Sequence, residues 1–326
     1  IRSVGNHASA KQGRTSGVRV ATANVNALLD KFTKHAGAIT KTGVESEGRA
    51  QILERAFHEA DIDVVCIQEG RMQGDHEVQG VHYKMLVASV TQAGSYGSQL
   101  WIRTSQDVEI LEYKVHSPRV LEAVLRVGCA MVIIITAHCP HSGYQKSEVE
   151  DVWKQVAGAI RRTKARFPDA HLIMGADANG KVGSVTIESI VGDCEAEEEN
   201  LNGEIFRSFL METRMAAINT FNPCGKTWVS SLGNESRIDY IATDAELLHH
   251  GAIAWPATSI NISTAGREDH RVIVATVQLP RESKHMAKRV RTKFQPDMVA
   301  MECGYLQQQF QDMLWQYKRP SIVSDA

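Results

Sequence analysis

Paired cysteines are what this chain most plainly lacks. Its 326 residues contain six cysteines, at 66, 129, 139, 194, 224 and 303, all far apart and none in a C-x-x-C pair. That spacing excludes a disulfide scaffold and a classical zinc site and favours a reducing compartment. Long apolar runs are missing too. The longest, such as Met131 to Thr136, fall far short of the roughly 20 residues of a membrane span, so a soluble protein is expected. An excess of basic charge is also absent. The formal net charge is -2, so any polyanion has to be met by a local patch or by a bound cation. No repeat of 20 to 50 residues is found. With 43% hydrophobic and 23% charged residues, the chain has the composition of an ordinary globular protein able to bury a large core. Its start at Ile1 instead of Met reads as a fragment of something longer.

Residues 1–17, rich in Ser, Gly, Lys and Arg, read as a flexible leader. From Val18 onward, strand and helix patterns interleave. Alternation over Val18 to Ala23 predicts a strand delivering Asn24, and a loop of Lys, Gly and Thr follows. Ile52, Leu53, Ala56, Phe57 and Ala60 recur at helical spacing before the buried run Val64 to Ile67, which ends at Gln68-Glu69. Further strands are expected over Gln99 to Arg103, Val108 to Leu111, Val120 to Val127 and Met131 to Ala137. Ser147 with Glu150 predicts a capping box opening a helix that stops at Phe167-Pro168. Leu172 to Met174 reads as a strand and Ile205 to Leu210 as a helix. Ala216 to Thr220, Arg237 to Thr243 and Val272 to Leu279 close the set as strands. This mixture fits two mixed sheets flanked by helices better than one parallel sheet. After Pro280 the bases Arg281, Lys284, Lys288, Arg289, Arg291 and Lys293 face one acid, Glu282. Residues 281–326 therefore read as a basic linker and a weakly helical tail, leaving 18–280 as the domain.

Six polar clusters end the apolar runs: Asn24-Val25-Asn26, Gln68-Glu69, His138-Cys139-Pro140-His141, Asp177-Ala178-Asn179, Arg237-Ile238-Asp239-Tyr240 and Asp269-His270. Each alone has an ordinary explanation. Asn24 and Asn179 are turn residues, and Arg237 with Asp239 could be a structural ion pair on one strand face. Together they supply carboxylates, amides and imidazoles at strand ends from residue 24 to residue 270. Those groups suit phosphodiester cleavage, which needs a cation at the non-bridging oxygens, an activated water, and donors around the phosphate.

In this order the clusters resemble the endonuclease/exonuclease/phosphatase superfamily, the metal-dependent enzymes related to apurinic endonucleases and DNase I. The resemblance covers roughly residues 18 to 280 and implies an α/β (α+β) fold, a four-layered sandwich of two mixed β-sheets flanked by helices. It implies that Glu69 holds Mg²⁺, or Mn²⁺ in its place, with Asp269 or with Asn26 through water. Asp177 would orient or deprotonate the attacking water while Asn24 and Asn179 bond the phosphate. His270, held by Asp239, would stabilise the pentacovalent phosphorus or pass a proton. His138 and His141 replace the usual Tyr and Asn of the proline loop as donors, and Asn26 stands where several relatives carry an acid. Arg237 and Trp228 fall to substrate binding.

The run Gly175 to Gly183, Asn200-Leu201-Asn202-Gly203 and Lys226-Thr227-Trp228 are similar to the endonuclease domain of non-LTR retrotransposons. That likeness implies DNA as partner, a reverse transcriptase domain in the same polyprotein, an intracellular and nuclear location, and no membrane. The same core would serve a phosphatase or phosphodiesterase acting on inositol phosphates, sphingomyelin or poly(A). It would also serve a catalytically silent interaction protein. The acidic loop Asp193 to Glu199 has no role readable from sequence.

Overall fold

The computed structural model describes residues 17–28, 48–105, 107–262 and 269–280. Its strands are β1 (Gly17–Asn24), β2 (Val64–Gln68), β3 (His76–Gln79), β4 (Tyr83–Val87), β5 (Gln99–Arg103), β6 (Val108–Ser117), β7 (Val120–Val127), β8 (Ala130–His138), β9 (His171–Asp177), β10 (Met215–Ala217), β11 (Trp228–Val229), β12 (Glu235–Ser236), β13 (Asp239–Asp244), β14 (Ile253–Pro256) and β15 (Ile273–Gln278). The helices are α1 (Arg49–Glu59), α2 (Lys146–Arg166), α3 (Leu201–Thr213) and α4 (Ala245–His249). One sheet runs β14-β15-β1-β2-β5-β4-β3 and the other β10-β13-β9-β8-β7-β6, while β11 and β12 form a separate hairpin.

Three apolar layers stack these elements. Val20, Val64, Leu100 and Ala275 of the first sheet meet Leu121, Ala123, Ile134 and Ile241 of the second between the two sheets. Leu53 and Phe57 of α1 cover the outer face of the first sheet, over Val65, Ile67 and Trp101. Val149, Trp153, Val156 and Ile160 recur at helical spacing along α2 and bury one face on Ile133, Ile135, Leu172 and Met174, with Phe206 and Phe209 of α3 beside them. The Trp153 ring centroid lies 4.8 Å from that of Phe206 and 4.7 Å from that of Phe209. Burying each such side chain contributes about 1.5–3 kcal/mol. The order helix, sheet, sheet, helices is the four-layered sandwich expected from the sequence.

Strand direction gathers the polar clusters. β1 and β2 are parallel with Asn24 opposite Gln68, and β8 and β9 are parallel with His138 opposite Asp177. β13 is antiparallel to β9 with Asp239 opposite Asp177, so it begins where β9 ends. β15 is antiparallel to β1, which places His270, just before it, on the same rim.

Several boundaries differ from the sequence reading. Gly17, assigned there to the leader, already belongs to β1. The capping box of α2 is Gln145 with Glu148, not Ser147 with Glu150: the Gln145 N–H donates to Glu148 Oε2 at 2.9 Å and Ser147 lies inside the first turn. β6 runs on to Ser117 because two irregularities in its pairing break the alternation that would have revealed it. The 216–220 strand is short, ending in a 3-10 turn at Ile218–Thr220. The expected flexible leader up to residue 16, most of the Lys/Gly/Thr loop after Asn24, and the basic linker and tail of 281–326 lie outside the described residues.

Candidate active site

A buried polar tie fixes the rim from below. Gln68, at the end of β2, donates from Nε2 to Thr136 Oγ1 at 3.0 Å and to Thr22 Oγ1 at 3.2 Å, linking the two sheets. Beside it, Gly175 lets the sheets approach: a Cβ there would meet Cys66 Cβ at 2.5 Å. This close contact sets the distance between Glu69, borne by one sheet, and Asp177, borne by the other.

Above the tie lies an open pocket of about 350 Å³ lined by residues from both sheets. It brings together Asn24, Asn26, Glu69, His138, His141, Asp177, Asn179, Trp228, Asp269 and His270, ten of the twelve residues singled out from sequence. Asp239 stands directly behind His270, its Oδ2 3.1 Å from His270 Nδ1. Arg237 is not brought in. It precedes β13 instead of pointing along it with Asp239, and its Nη1 donates to the carbonyls of Cys194 at 2.8 Å and Asn219 at 3.1 Å. The arginine is a buried brace, and among the described ion pairs it has none with Asp239.

Asn24 Nδ2 donates to Asp177 Oδ2 at 2.9 Å and to Glu69 Oε1 at 3.4 Å, so one amide spans the two carboxylates. His138 Nε2 is 3.7 Å from each of them. Asn179 donates its backbone N–H to Asp177 Oδ1 at 3.0 Å and one amide hydrogen to the Cys139 carbonyl at 2.9 Å. Half of the described non-glycine residues with positive φ lie on this pocket: Asn26, Glu69, Arg71, Tyr96 and Asn179. Backbone strain of that kind concentrates at functional sites.

Electrostatics separates the titrating groups. Burial pushes the Asp177 carboxyl up, and Asp239 pushes it further, to about 7, against the pull of His270 and Asn24. Burial works against a charged His270, yet Asp239, Asp177 and Asp269 raise it to about 9. Burial drives His138 down to about 3, only partly offset by Glu69 and reinforced by Arg119, so its ring is neutral at physiological pH. Glu69 is opposed by burial but held below the usual range, with the neighbouring Arg71 guanidinium and the Asn24 amide favouring its charged form.

The donor set suits a hard divalent cation, which keeps several waters and needs only one or two carboxylates. Asp177 and Asp239 bring carboxylate oxygens within 4.8 Å of each other and of a His270 ring nitrogen, and with His270 held positive it is the carboxylates that are left to meet a cation. Asp239 Oδ1 is buried with no hydrogen-bond partner, a costly state that a cation or a water-borne proton would relieve. Glu69 Oε2 and Asn26 Oδ1 also converge on one positive charge, the Arg71 guanidinium, at 2.6 and 3.2 Å.

Sequence reasoning passed over Arg71, Tyr96, Arg119 and Tyr144, which also line the pocket. Arg119 lies 3.6 Å above the Tyr96 ring and donates to the His138 carbonyl at 3.1 Å, and the Tyr96 and Tyr144 hydroxyls meet at 2.7 Å. Arg71, two residues beyond Glu69, and Tyr144, three beyond His141, stood near recognised clusters. The acidic loop gains a role here. Glu195 Oε2 accepts the Cys224 and Gly225 amides at 2.9 and 2.7 Å, Glu197 Oε2 accepts the Arg237 amide at 2.7 Å, and Glu199 pairs with Arg207. Glu195, Glu197 and Glu199 thus brace the neighbouring segments. Asn200 caps α3 through Gly203 N–H and accepts Lys181 N–H, while Asn202 bonds the Pro140 and Asn179 carbonyls. That pair of asparagines therefore shapes the loops carrying Asn179 and His141.

No protein-family model matches the sequence, and no curated protein matches it. Solved structures do match. The endonuclease domain of TRAS1, a telomere-specific non-LTR retrotransposon, aligns at 15% identity and TM-score 0.54, covering 81% of this chain and 100% of that one. The 3'-5' exonuclease NExo from Neisseria meningitidis aligns at 16% identity and TM-score 0.56, covering 80% and 100%. The human Nocturnin catalytic domain aligns at 13% and TM-score 0.52, covering 80% and 94%. With two mixed sheets flanked by helices, the chain has a DNase I-like fold, which it shares with these solved structures.

Proposed function

We propose that this chain is a divalent-metal phosphodiesterase that nicks DNA, of the kind carried by non-LTR retrotransposons beside a reverse transcriptase. The observation that carries the reading is the buried Asp177, Asp239 and His270 group, of which Asp177 and His270 line a pocket that also holds Glu69, Asn26 and Asp269. Glu69, with Asn26 and Asp269, would hold Mg²⁺ or Mn²⁺. When bound, the cation supplies positive charge at the non-bridging phosphate oxygens. Asp177, raised to about 7, is placed to take a proton from the attacking water near neutral pH. His270, raised to about 9 and held by Asp239, presents a positive N–H to the charge that develops on phosphorus oxygens. Asn24 fixes the Asp177 carboxylate, and the neutral His138 with His141 and Trp228 completes the walls around the phosphate and its neighbours.

The likeness extends as well to an exonuclease, so action at strand ends is a second reading. The basic stretch after Pro280 is proposed to add DNA contacts from outside the domain, each phosphate contact adding about 0.9 to the salt slope on duplex DNA. Purified protein with Mg²⁺ should be offered supercoiled plasmid, an abasic duplex, a 3'-phosphorylated duplex and an inositol phosphate. Nicked circles support the endonuclease reading. Turnover of only the 3'-phosphate or the inositol phosphate moves the activity to the end-acting or phosphatase readings, and inertness on all four leaves a phosphodiesterase for sphingomyelin or poly(A), or an interaction protein.

A further inference from the structure

The Arg71 guanidinium lies between an oxygen of Glu69 and one of Asn26, two residues that the proposed function assigns to a metal ion. Its Nη2 is 2.6 Å from Glu69 Oε2 and 3.2 Å from Asn26 Oδ1, and Asn26 Nδ2 continues the chain to Asp269 Oδ2 at 3.2 Å. Glu69 and Asn26 thus meet one internal cation directly, and Asp269 is tied to it through Asn26. The ion pair is half-buried, with 18% and 21% of the two side chains exposed, so solvent screens it far less than a surface pair.

The backbone holds Arg71 there. Glu69 and Arg71 both adopt φ of 54°, and Gly70 between them packs so closely that a Cβ would meet Gln99 Nε2 at 2.3 Å. Gly70 N–H donates to Gly97 O at 2.8 Å and Arg71 N–H to Tyr96 O at 3.0 Å, which clips the segment onto the 94–98 loop. A strained and doubly clipped backbone aims the side chain back across its own neighbour.

We propose that Arg71 is an internal counter-ion that keeps the cation's place at Glu69 and Asn26, and that a divalent ion binds by displacing it. The inference rests on the assignment of Glu69 as a metal ligand. A divalent ion that takes Glu69 Oε2 meets strong repulsion from the guanidinium on the same oxygen, so its entry there breaks the Arg71 contact. Arg71 lines the pocket, and the displaced side chain stays where an anionic substrate would meet it. A side chain that merely oriented Glu69 for the ion would have the opposite effect on affinity, and that contrast makes the proposal testable.

Mn²⁺ binding to the whole chain, followed by calorimetry and by the loss of the free-ion paramagnetic signal, separates the two. Removing the competitor in Arg71→Ala should tighten Mn²⁺ binding by about tenfold, the change expected when one half-buried ion pair no longer has to be broken. Arg71→Lys, which keeps the positive charge on a more mobile side chain, should fall between. Unfolding midpoints measured without metal establish that each variant is folded. Equal or weaker Mn²⁺ binding by a folded Arg71→Ala overturns the proposal. Glu69→Gln in the same titration tests the premise separately: if it leaves Mn²⁺ affinity unchanged, the ion is not at Glu69, and the assignment of the metal site fails along with the role of Arg71.

Discussion

His270 Nδ1 lies 3.1 Å from Asp239 Oδ2, with both side chains buried, so the imidazole is fixed in orientation and held positive by a carboxylate that never reaches the pocket wall. If the pair works as one unit, His270→Ala should lower the rate of phosphodiester cleavage by about 10² to 10⁴, the usual contribution of a positioned acid or base. Asp239→Asn should approach the same loss, and the double variant should be little worse than either. Single-turnover rates for the three proteins decide it. Losses that multiply in the double variant would mean independent roles.

The same pair makes a pH-dependent contribution to stability. His270 is raised to about 9 in the fold against an ordinary 6.5, so the folded state keeps a proton that the unfolded chain releases. Its contribution is full below about 6.5 and is lost as pH rises through 9, with a slope of at most about 1.4 kcal/mol per pH unit. Urea midpoints measured in chelator should fall between pH 7 and 9, and His270→Gln should flatten that fall. An unchanged slope in the variant would place the titration elsewhere.

Gly175 tests how the two sheets position the site. A Cβ at this position would meet Cys66 Cβ at 2.5 Å and Thr22 Cβ at 3.0 Å, both on the facing sheet. Gly175→Ala should cost about 1–3 kcal/mol, the usual cost of overpacking a tight core, and should also reduce activity because Asp177 lies two residues on. Chemical denaturation and the cleavage rate read the two effects. Full stability would show that the sheets have room to part.

Much of this site was legible in the sequence because its residues end apolar runs, and strand ends are readable from alternation alone. Asn24, Glu69, His138 and Asp177 all have that signature. Asp239 was readable with Arg237 as a pair two apart, but the pairing misled: β13 starts at Asp239, so Arg237 precedes the strand and turns into the acidic loop. Tyr96 and Arg119 were illegible for another reason. They come from turns with no periodicity and meet His138 only through tertiary packing. β3 was hidden as well, since the edge strand alternates between half-buried and exposed residues and carries little apolar signal.

Glu195 illustrates how a charged loop can be structural. Its Oε2 accepts two backbone amides, Cys224 and Gly225, three residues before Thr227 and Trp228. Glu195→Ala should lower stability by about 0.5–1.5 kcal/mol by removing two backbone hydrogen bonds, and should speed hydrogen exchange at those two amides. Exchange confined to distant segments would remove the loop from this role.

Glu69 is the most direct test of the whole account. In Glu69→Gln the shape is kept and the charge lost, and an uncharged amide is a much weaker ligand for a hard cation. With supercoiled plasmid as substrate and Mg²⁺ titrated through the low millimolar range, the parent should nick and the folded variant should not, whereas equal nicking by both proteins across the titration would contradict a metal-dependent phosphodiesterase built on this residue.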